Sequence, residues 1–492
     1  MRLTLDGKVN KLYVQSLCMM FFRGEKFPEI EESPRGEGFV SVIDREDGVF
    51  CACRITYDGR TEEAEAFETF STNESRERTS KTAVGRAVFG ACSELTGYVP
   101  VWGLLTGIRP STVAMELIDK LGEEGAFDAL TAKYLLNGEK ARLAIDVAKN
   151  EASVLTQYDD KTCSVYISIP FCPTRCSYCS FISYATKKLF QQIPDYVTRL
   201  IEDIKATFDT IKKAGQRVIS VYFGGGTPTT LSCEQLELVL STVCEQLNGN
   251  LPDEFTVECG RPDTITREKL SVLKKYGVDR VSVNPQTLND SVLERIGRKH
   301  TVNDFYDAYE LVEECGFKSV NTDLIAGLDG DDFESFKTTV DKIIALSPDN
   351  VTVHTFSVKK SASILSDDSN IYTKEAGFAE KSVEYAYNAL VSNGYLPYYM
   401  YRQKNTVCDL ENVGYAKAGS FGVYNVLMMG DGHTVFGVGA GATTKLVRNF
   451  GGKKEISRIF YPKYPYEYLQ NNKDNSAAIL EFLNGGELNE GN

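Results

Sequence analysis

The sequence has no long apolar run and fewer basic than acidic residues, and each of these two shortages argues against a class of protein. It also has only three histidines. No apolar stretch approaches the roughly 20 residues that a membrane-spanning helix requires. The first residues lack the charged and apolar regions of a secretory signal, so we expect a cytoplasmic protein without membrane insertion. The net charge of −14 argues against nucleic acid or an anionic membrane surface as a general partner.

Length and composition are typical of a soluble globular protein with several domains. The chain has 492 residues, of which 42% are apolar and 25% are charged, enough for two or three domains with cores of their own. Its thirteen cysteines are an odd number scattered along the chain, which disfavours a disulfide framework. Most lie in apolar contexts typical of buried thiols, as Cys18, Cys92, Cys244 and Cys315 do.

Residues 1–160 are predicted to form an α+β module of unknown role. The segments "GFVSVID", "VFCACRITY" and "TEEAEAFE" alternate in the manner of antiparallel strands, with a turn near Asp47 and Gly48. From about Ser75 the period changes to that of a helix, and helical patterns continue through "ARLAIDVAKNEASVL". This region carries no recognisable chemistry.

Residues 161–357 repeat an alternation of strand and helix. The candidate strands are, in order, "SVYISIP", "VISVYFGG", "EFTVECG", "RVSVNP", "SVNTDLIAGL" and "NVTVHTF". Continuous apolar strands separated by helices predict an α/β fold with a parallel sheet and right-handed crossovers. Six such units would form a partial (β/α)6 barrel, in which the residues just after each strand gather at the face that binds ligands.

Residues 358–492 are predicted to form a C-terminal α+β region that covers the substrate. They begin with one long helical pattern, "EKSVEYAYNALVSNGY". Aromatic-rich segments follow, among them "YLPYYMYRQKN" and "SFGVYNVLMMGDG". The polar tail "LNGGELNEGN" is expected to be mobile.

The stretch Phe171–Phe181, "FCPTRCSYCSF", places Cys172, Cys176 and Cys179 in a C-x₃-C-x₂-C spacing directly after a predicted strand. A structural zinc site normally takes four protein ligands, and no second Cys/His pair at zinc-finger spacing is present. The three histidines are isolated, and each is better explained as a core or surface residue: His300, His354 and His433. Three thiolates suit a 4Fe–4S cluster whose fourth iron stays open. Because the spacing is tight, three structural cysteines meeting by chance are the less favoured alternative.

Polar and glycine residues follow the neighbouring predicted strands. The second strand ends in "YFGGGTP", where a backbone without side chains can approach a ligand closely. No Gly-Lys-Ser/Thr follows and G-x-G-x-x-G is not met, so neither a phosphate loop nor a dinucleotide fingerprint is predicted. Further polar residues stand at later strand ends: Glu258, Gln286, Arg298 and Asp323. Singly each is better explained as a turn or cap residue, but together with the cysteine loop they favour a site.

The three cysteines resemble the signature of the radical S-adenosylmethionine (SAM) superfamily. With its companions, the motif resembles one branch, the oxygen-independent coproporphyrinogen III oxidase family (coproporphyrinogen dehydrogenase). The matching stretches lie between roughly residues 162 and 445: "YISIPFCPTRCSYCSF", "VYFGGGTPT", "TVECGRPD", "VSVNPQTLNDSVLERIGRKH", "VNTDLIAGL" and "FGVGAGAT". "LLTGIRPS" and "YLPYYMYRQKN" resemble the longer coproporphyrinogen dehydrogenase type, which has an N-terminal extension.

This resemblance implies a 4Fe–4S cluster held by Cys172, Cys176 and Cys179, with SAM chelating the fourth iron. It implies catalytic roles for Tyr166 and Glu258. Contacts with the cluster-bound SAM are implied for three residues: Tyr166, Gly225 and Glu258. The positions that hold a second SAM in the family are matched by Tyr178, Gly226, Thr227, Gln286, Arg298 and Asp323.

The implied reaction is the oxidative decarboxylation of two propionates of coproporphyrinogen III to vinyl groups, giving protoporphyrinogen IX in heme biosynthesis. The implied partners are this or another tetrapyrrole and an electron donor such as flavodoxin or ferredoxin. A substrate with four carboxylates needs a basic pocket. The candidates are Arg402, Lys404, Lys445 and Arg448, although a solvated charged face is the better explanation for any one of them.

Two departures from the family pattern keep alternatives open. Phe181 stands where the best-known oxidases have a fourth cysteine, and Ser168 stands where they have histidine. Phenylalanine at the first position also occurs in the heme-binding chaperones of the family. A heme chaperone that keeps the cluster, or an anaerobic heme-opening radical methyltransferase, are therefore the alternative functions.

Overall fold

The structure, a computed structural model, describes residues 1–28, 35–72, 74–179, 184–357, 376–403, 409–450, 453–471 and 473–485. It contains two compact units. The first comprises Met1–Ala148 and two short segments near residue 402, and the second comprises Lys149–Met400 and the chain from Glu411 onward. The three-domain division remains a prediction. Phe181, Lys404 and the end of the polar tail lie outside the described residues.

The first unit contains a four-stranded sheet in the order β1-β2-β3-β4. Its strands are β1 Arg2–Asp6, β2 Gly36–Asp44, β3 Gly48–Tyr57 and β4 Arg60–Thr69. The last three pair antiparallel as predicted, whereas β1 joins β2 in parallel, which the sequence pattern did not reveal. Val49, Cys51, Cys53 and Ile55 alternate into the core of this unit, so the two cysteines of β3 are packing residues.

The helices of the first 155 residues are α1 Lys11–Phe21, α2 Arg76–Thr96, α3 Pro110–Asp128 and α4 Gly138–Leu155. Helix α2 begins where the periodicity changes, because the Ser75 hydroxyl accepts a hydrogen bond from the Arg78 backbone N–H. It ends at Gly97, whose φ of +70° is the left-handed conformation that terminates many helices. Its apolar face, including Val84, Val88 and Cys92, is buried in the core of this unit.

The second unit contains the predicted parallel sheet. Its six central strands are β5 Thr162–Ile169, β6 Arg217–Gly225, β7 Glu254–Glu258, β8 Arg280–Ser282, β9 Ser319–Ala326 and β10 Asn350–Thr355. Each pairs in parallel with the next, and the sheet remains open, which confirms the α/β class and a partial barrel. The helices of this unit are α5 Lys187–Phe190, α6 Ile193–Lys213, α7 Cys233–Leu247, α8 Arg267–Lys275, α9 Asp290–Arg295, α10 Val302–Glu314, α11 Phe333–Leu346, α12 Ala376–Ser392, α13 Val423–Met429, α14 Pro465–Gln470 and α15 Ser476–Leu483.

Strands from the C-terminal part of the chain extend this sheet at both ends, making it eleven-stranded. They are β11 Leu396–Arg402, β12 Glu411–Ala416, β13 Thr434–Val438, β14 Thr443–Phe450 and β15 Lys453–Phe460. At one end of the sheet, β13 lies parallel to β5, and β14 and β15 lie beyond it. At the other end, β12 lies antiparallel to β10, and β11 lies beyond it. The sequence pattern did not predict that these strands join the barrel sheet.

In the part of the chain that the structure describes, no helix has the length and apolar character to cross a membrane. The described cysteines form no disulfide with one another. Cys18 and Cys92 are buried, as predicted. Cys244 and Cys315 are only half-buried, because each lies near the end of a helix rather than in a core.

Candidate active site at the carboxyl ends of the parallel strands

The cysteine loop leaves β5 and is closed at its base by backbone hydrogen bonds. The Tyr184 N–H donates to Pro170 O at 2.9 Å, and the Cys172 N–H donates to Tyr184 O at 3.2 Å. Within the loop the Cys179 N–H donates to Cys176 O at 3.2 Å. Cys176 is buried and Cys172 and Cys179 are half-buried, so the loop presents its thiols at the mouth of the sheet.

The glycine loop after β6 packs directly against the cysteine loop. The Gly226 N–H donates to Ile169 O and the Thr227 N–H donates to Phe171 O, both at 2.8 Å. A Cβ on Gly226 would lie 2.6 Å from Phe171 O, so no side chain fits at that position. Thr227 Oγ1 lies 3.3 Å from Cys172 Sγ. The cysteine loop and the glycine loop, which are separate motifs in the sequence, therefore form one structure.

Glu258 ends β7 beside three tyrosine rings. Tyr222 OH donates to Glu258 Oε1 at 2.5 Å. The Tyr222 ring stacks on Tyr424 with centroids 4.3 Å apart, and Tyr166 lies within 6.2 Å of both. Burial raises the pKa of Glu258 to about 7, although the Tyr222 hydrogen bond opposes that shift. Tyr222 and Tyr424 were not predicted; Tyr222 shares the inward face of β6 with Gly224, which is the only signal it leaves in the sequence.

Asp323, on β9, is held by two amide side chains. Asn284 Nδ2 donates to Asp323 Oδ2 and Asn321 Nδ2 donates to Asp323 Oδ1, both at 2.7 Å. His354 Nε2, on β10, lies 3.9 Å from Asp323 Oδ2. Burial alone would raise the pKa of Asp323, but His354 and the neighbouring polar side chains outweigh it and hold this pKa below its ordinary value. His354, predicted to be a core or surface residue rather than a ligand, is a half-buried strand residue near this carboxylate.

Gln286 and Arg298 are buried, and each has one side-chain polar atom without a hydrogen-bond partner among the described residues. Gln286 has a φ of +70°, an uncommon conformation for a residue with a side chain, and its N–H donates to Asp323 O. Arg298 Nη1 donates to Asn284 O at 2.5 Å, and its charge acts on Tyr178 and Cys176. Gln286 Oε1 and Arg298 Nε have no hydrogen-bond partner within the described chain. Buried polar atoms normally have partners, so these two leave hydrogen-bonding capacity at the predicted site.

Arg261 also reaches the cysteine loop, and it was not predicted. Its Nη1 lies 3.7 Å from Cys176 Sγ, and the guanidinium pairs with Asp263. In the sequence Arg261 stands three residues after Glu258, in the stretch "TVECGRPD". Nothing in that stretch distinguishes it from an ordinary turn residue.

Three of the four candidates for the predicted basic pocket make contacts within the chain. Arg402 lies in the first unit, over the Trp102 ring, and donates to Leu105 O. Lys445 is buried and donates to Gly430 O at 2.6 Å. Arg448 donates to Glu455 at 2.7 Å. These cations serve internal contacts, which sequence position alone could not show.

Ser168, at the position where the oxidases have histidine, has a structural role. Its hydroxyl donates to Ala440 O at 2.8 Å, and its carbonyl accepts from Tyr196 OH at 2.8 Å. Ser168 therefore ties β5 to the segment after β13.

Comparison with known proteins decides the family. Residues 166–343 match the radical SAM superfamily. The oxygen-independent coproporphyrinogen-III oxidase-like protein HemZ of Bacillus subtilis is 37% identical over 398 residues, which are 79% of this chain and 78% of HemZ. The chain belongs to the radical SAM superfamily and, within it, to the oxygen-independent coproporphyrinogen III oxidase family.

Other members of this family differ in their stated roles. The heme chaperone HemW of Lactococcus lactis is 31% identical over 290 residues, 57% of this chain and 69% of HemW. The solved structure of the coproporphyrinogen III oxidase HemN of Escherichia coli covers 66% of this chain and 71% of its own, with a TM-score of 0.50 and 22% identity. That likeness agrees with the partial-barrel fold.

Membership of the radical SAM superfamily implies a 4Fe–4S cluster and SAM, and the donor set fits both. No three His, Cys, Asp or Glu side chains of the described residues converge on a single metal ion. A cluster needs no such convergence, because each thiolate binds a different iron. The unpartnered polar atoms of Gln286 and Arg298 leave hydrogen-bonding capacity for a polar cofactor.

Proposed function

We propose that this protein catalyses the oxygen-independent oxidative decarboxylation of coproporphyrinogen III to protoporphyrinogen IX. The observation that carries the proposal is the meeting of the cysteine loop, the glycine loop, Glu258 and Asp323 at one mouth of the parallel sheet. The similarity to HemZ, over most of both chains, supports this choice.

Cys172, Cys176 and Cys179 are the proposed cluster ligands, and Tyr166, Gly225 and Glu258 the proposed contacts of the cluster-bound SAM. Bound there, these cofactors would supply a 5′-deoxyadenosyl radical. For each propionate the reaction would pass one hydrogen atom to that radical, release CO₂ and pass one electron to an external one-electron acceptor. The second SAM would lie against six residues: Tyr178, Gly226, Thr227, Gln286, Arg298 and Asp323.

The side chains of this chain hold the reactants and exclude water. Glu258, with a pKa near neutrality, suits an ammonium or ribose hydroxyl, and Tyr222 fixes its orientation. Asp323 stays ionised and is fixed by two amides, so it offers two acceptor oxygens in one orientation. The stacked rings of Tyr166, Tyr222 and Tyr424 form an apolar wall beside Glu258.

A second candidate function is that of a heme chaperone. The similarity to HemW supports it, as does Phe181, where the best-known oxidases have cysteine. Such a protein would load the cluster and bind heme without decarboxylating coproporphyrinogen III.

An anaerobic assay separates the candidates. The protein is reconstituted with iron and sulfide, then given SAM, a reductant and coproporphyrinogen III, and the products are oxidised and analysed for protoporphyrin IX. Release of CO₂ with formation of protoporphyrin and 5′-deoxyadenosine is the expected result. Tight heme binding with no turnover would overturn it in favour of the chaperone, and methylation of heme in favour of a methyltransferase.

A further inference from the structure

We propose that Arg261 raises the reduction potential of the cluster by donating a buried, charged hydrogen bond to Cys176, and that Asp263 limits this effect. The inference rests on the proposed cluster ligands but not on the proposed substrate.

The guanidinium of Arg261 is divided between two partners. Nε and Nη2 donate to the two oxygens of Asp263 at 2.9 and 3.0 Å. Nη1 faces the cysteine loop, 3.0 Å from Thr174 Oγ1 and 3.7 Å from Cys176 Sγ. The Arg261 side chain is only 4% exposed, so water screens this contact little.

A short turn fixes the arginine in this orientation. Pro262 begins the turn Pro262–Thr264, and the Thr264 N–H and hydroxyl donate to Arg261 O at 3.0 and 2.8 Å. The bidentate pair with Asp263, two residues away, orients the planar guanidinium. Because its backbone and one edge are both held, the remaining edge can only face the cysteine loop.

The sign of the effect follows from charge. A cluster gains an electron on reduction, so a cation and an N–H donor at one of its thiolates stabilise the reduced state more than the oxidised state. Loss of Arg261 should lower the potential, whereas loss of the Asp263 charge should raise it, since the guanidinium would then be uncompensated. A role in holding the turn alone gives the two substitutions no reason to act in opposite directions.

The test is a spectroscopic redox titration of the reconstituted protein without substrate, using Arg261→Met, Asp263→Asn and Arg261→Lys. At the wild-type midpoint, Arg261→Met should lower the reduced-to-oxidised ratio about tenfold, which is 59 mV for one electron. Asp263→Asn should raise that ratio, and Arg261→Lys should fall between Arg261→Met and the wild type.

Arg267→Met is the matched control, because Arg267 forms an exposed pair with Glu314 on the surface. Iron content and the absorption spectrum establish that each variant carries a full cluster. Unchanged midpoints in Arg261→Met and Asp263→Asn, or shifts of both in the same direction, would overturn the proposal. If Arg261→Met loads no cluster, the signs for Asp263→Asn and Arg261→Lys decide. A wild type that loads no cluster would instead refute the proposed ligands.

Discussion

Strand β7 carries a glutamate at each end, Glu254 buried and Glu258 half-buried, and the two differ in what surrounds them. Glu254, at the amino end, accepts the backbone N–H groups of Val423 and Tyr424 at 2.7 and 3.2 Å and lies near the Arg280 charge. Glu258, at the carboxyl end, accepts a hydrogen bond from Tyr222 OH and lies near the Asp323 carboxylate and His354. Burial raises the pKa of both carboxyls. Burial of a carboxyl therefore does not by itself identify a site, because both oxygens of Glu254 are taken up by backbone N–H groups at the start of α13.

The largest expected effect belongs to the cysteine loop at the carboxyl ends. Cys172→Ser should abolish loading of the cluster, because the serine oxygen is a poor replacement for a thiolate ligand. Cys244→Ser is the matched control, because Cys244 is a half-buried residue of α7 outside the cysteine loop, and this variant should load the cluster normally. Iron analysis and the absorption spectrum of the reconstituted proteins check this. A full 4Fe–4S spectrum in Cys172→Ser would contradict the assignment.

SAM binding should separate the two glutamates of β7. Glu258→Gln should weaken SAM binding to the reconstituted protein about tenfold or more, since a charged acceptor is lost, roughly 1.4 kcal/mol. Glu254→Gln should change it less than about twofold. Calorimetric titration with SAM measures both. Equal losses of SAM affinity in the two variants would contradict the assignment of Glu258, and not Glu254, to SAM binding.

The free energy of unfolding should also distinguish the two glutamates, and here Glu254 should matter more than Glu258. Glu254→Ala should lower the free energy of unfolding by roughly 2–4 kcal/mol, because two backbone N–H groups lose their acceptor and the buried Arg280 guanidinium loses a nearby opposite charge. Glu237→Ala is the control, because Glu237 forms an exposed pair with Lys275 whose loss should cost less than about 1 kcal/mol. Denaturant unfolding of the apo proteins is the measurement, and a Glu254→Ala value equal to that of Glu237→Ala would contradict the structural role.

The pH dependence of stability should report on Glu258. Its pKa is raised in the folded state to about 7 from 4.5, so its contribution is fully present below about pH 4.5 and is lost as the pH rises through 7. The loss amounts to about 3 kcal/mol. Glu254 contributes with the same sign, so the comparison is between the wild type and Glu258→Gln, measured by unfolding from pH 5 to pH 8. The wild type should lose stability relative to the variant over that range, and parallel curves would refute the shift.

The smallest expected effect is that of Tyr222→Phe. It removes the donor that lowers the pKa of Glu258, so the wild-type pH transition should move upward, with a cost of roughly 1 kcal/mol at neutral pH. Tyr424→Phe is the control, since it keeps the stacked ring and removes no hydrogen bond to Glu258. Unfolding is measured at several pH values for both variants, and the pH midpoint of the stability change should move upward in Tyr222→Phe but not in Tyr424→Phe. A shift in Tyr424→Phe alone would assign the effect to ring packing.

Sequence was a good guide to the six parallel strands and to the polar residues at their ends. The strands are short segments rich in β-branched residues that alternate with helices, and the barrel rule predicts that their carboxyl ends share one face. Pairing of β13 with β5 was not predictable, because short strands far apart in sequence carry no information about register. Arg261, Tyr222 and Tyr424 were missed for a related reason: a single polar or aromatic residue shows its partner only after folding.

The neighbours of β5 have a consequence for the order of folding. This strand, which leads into the cysteine loop, pairs on one side with β6 and on the other with β13, Thr434–Val438. Its second edge therefore stays unpaired during synthesis until most of the chain has been made, and contacts of such long sequence separation form slowly. We expect chains that end before β13 to expose this edge and aggregate, and the cysteine loop to reach its final shape only after nearly the whole protein has left the ribosome.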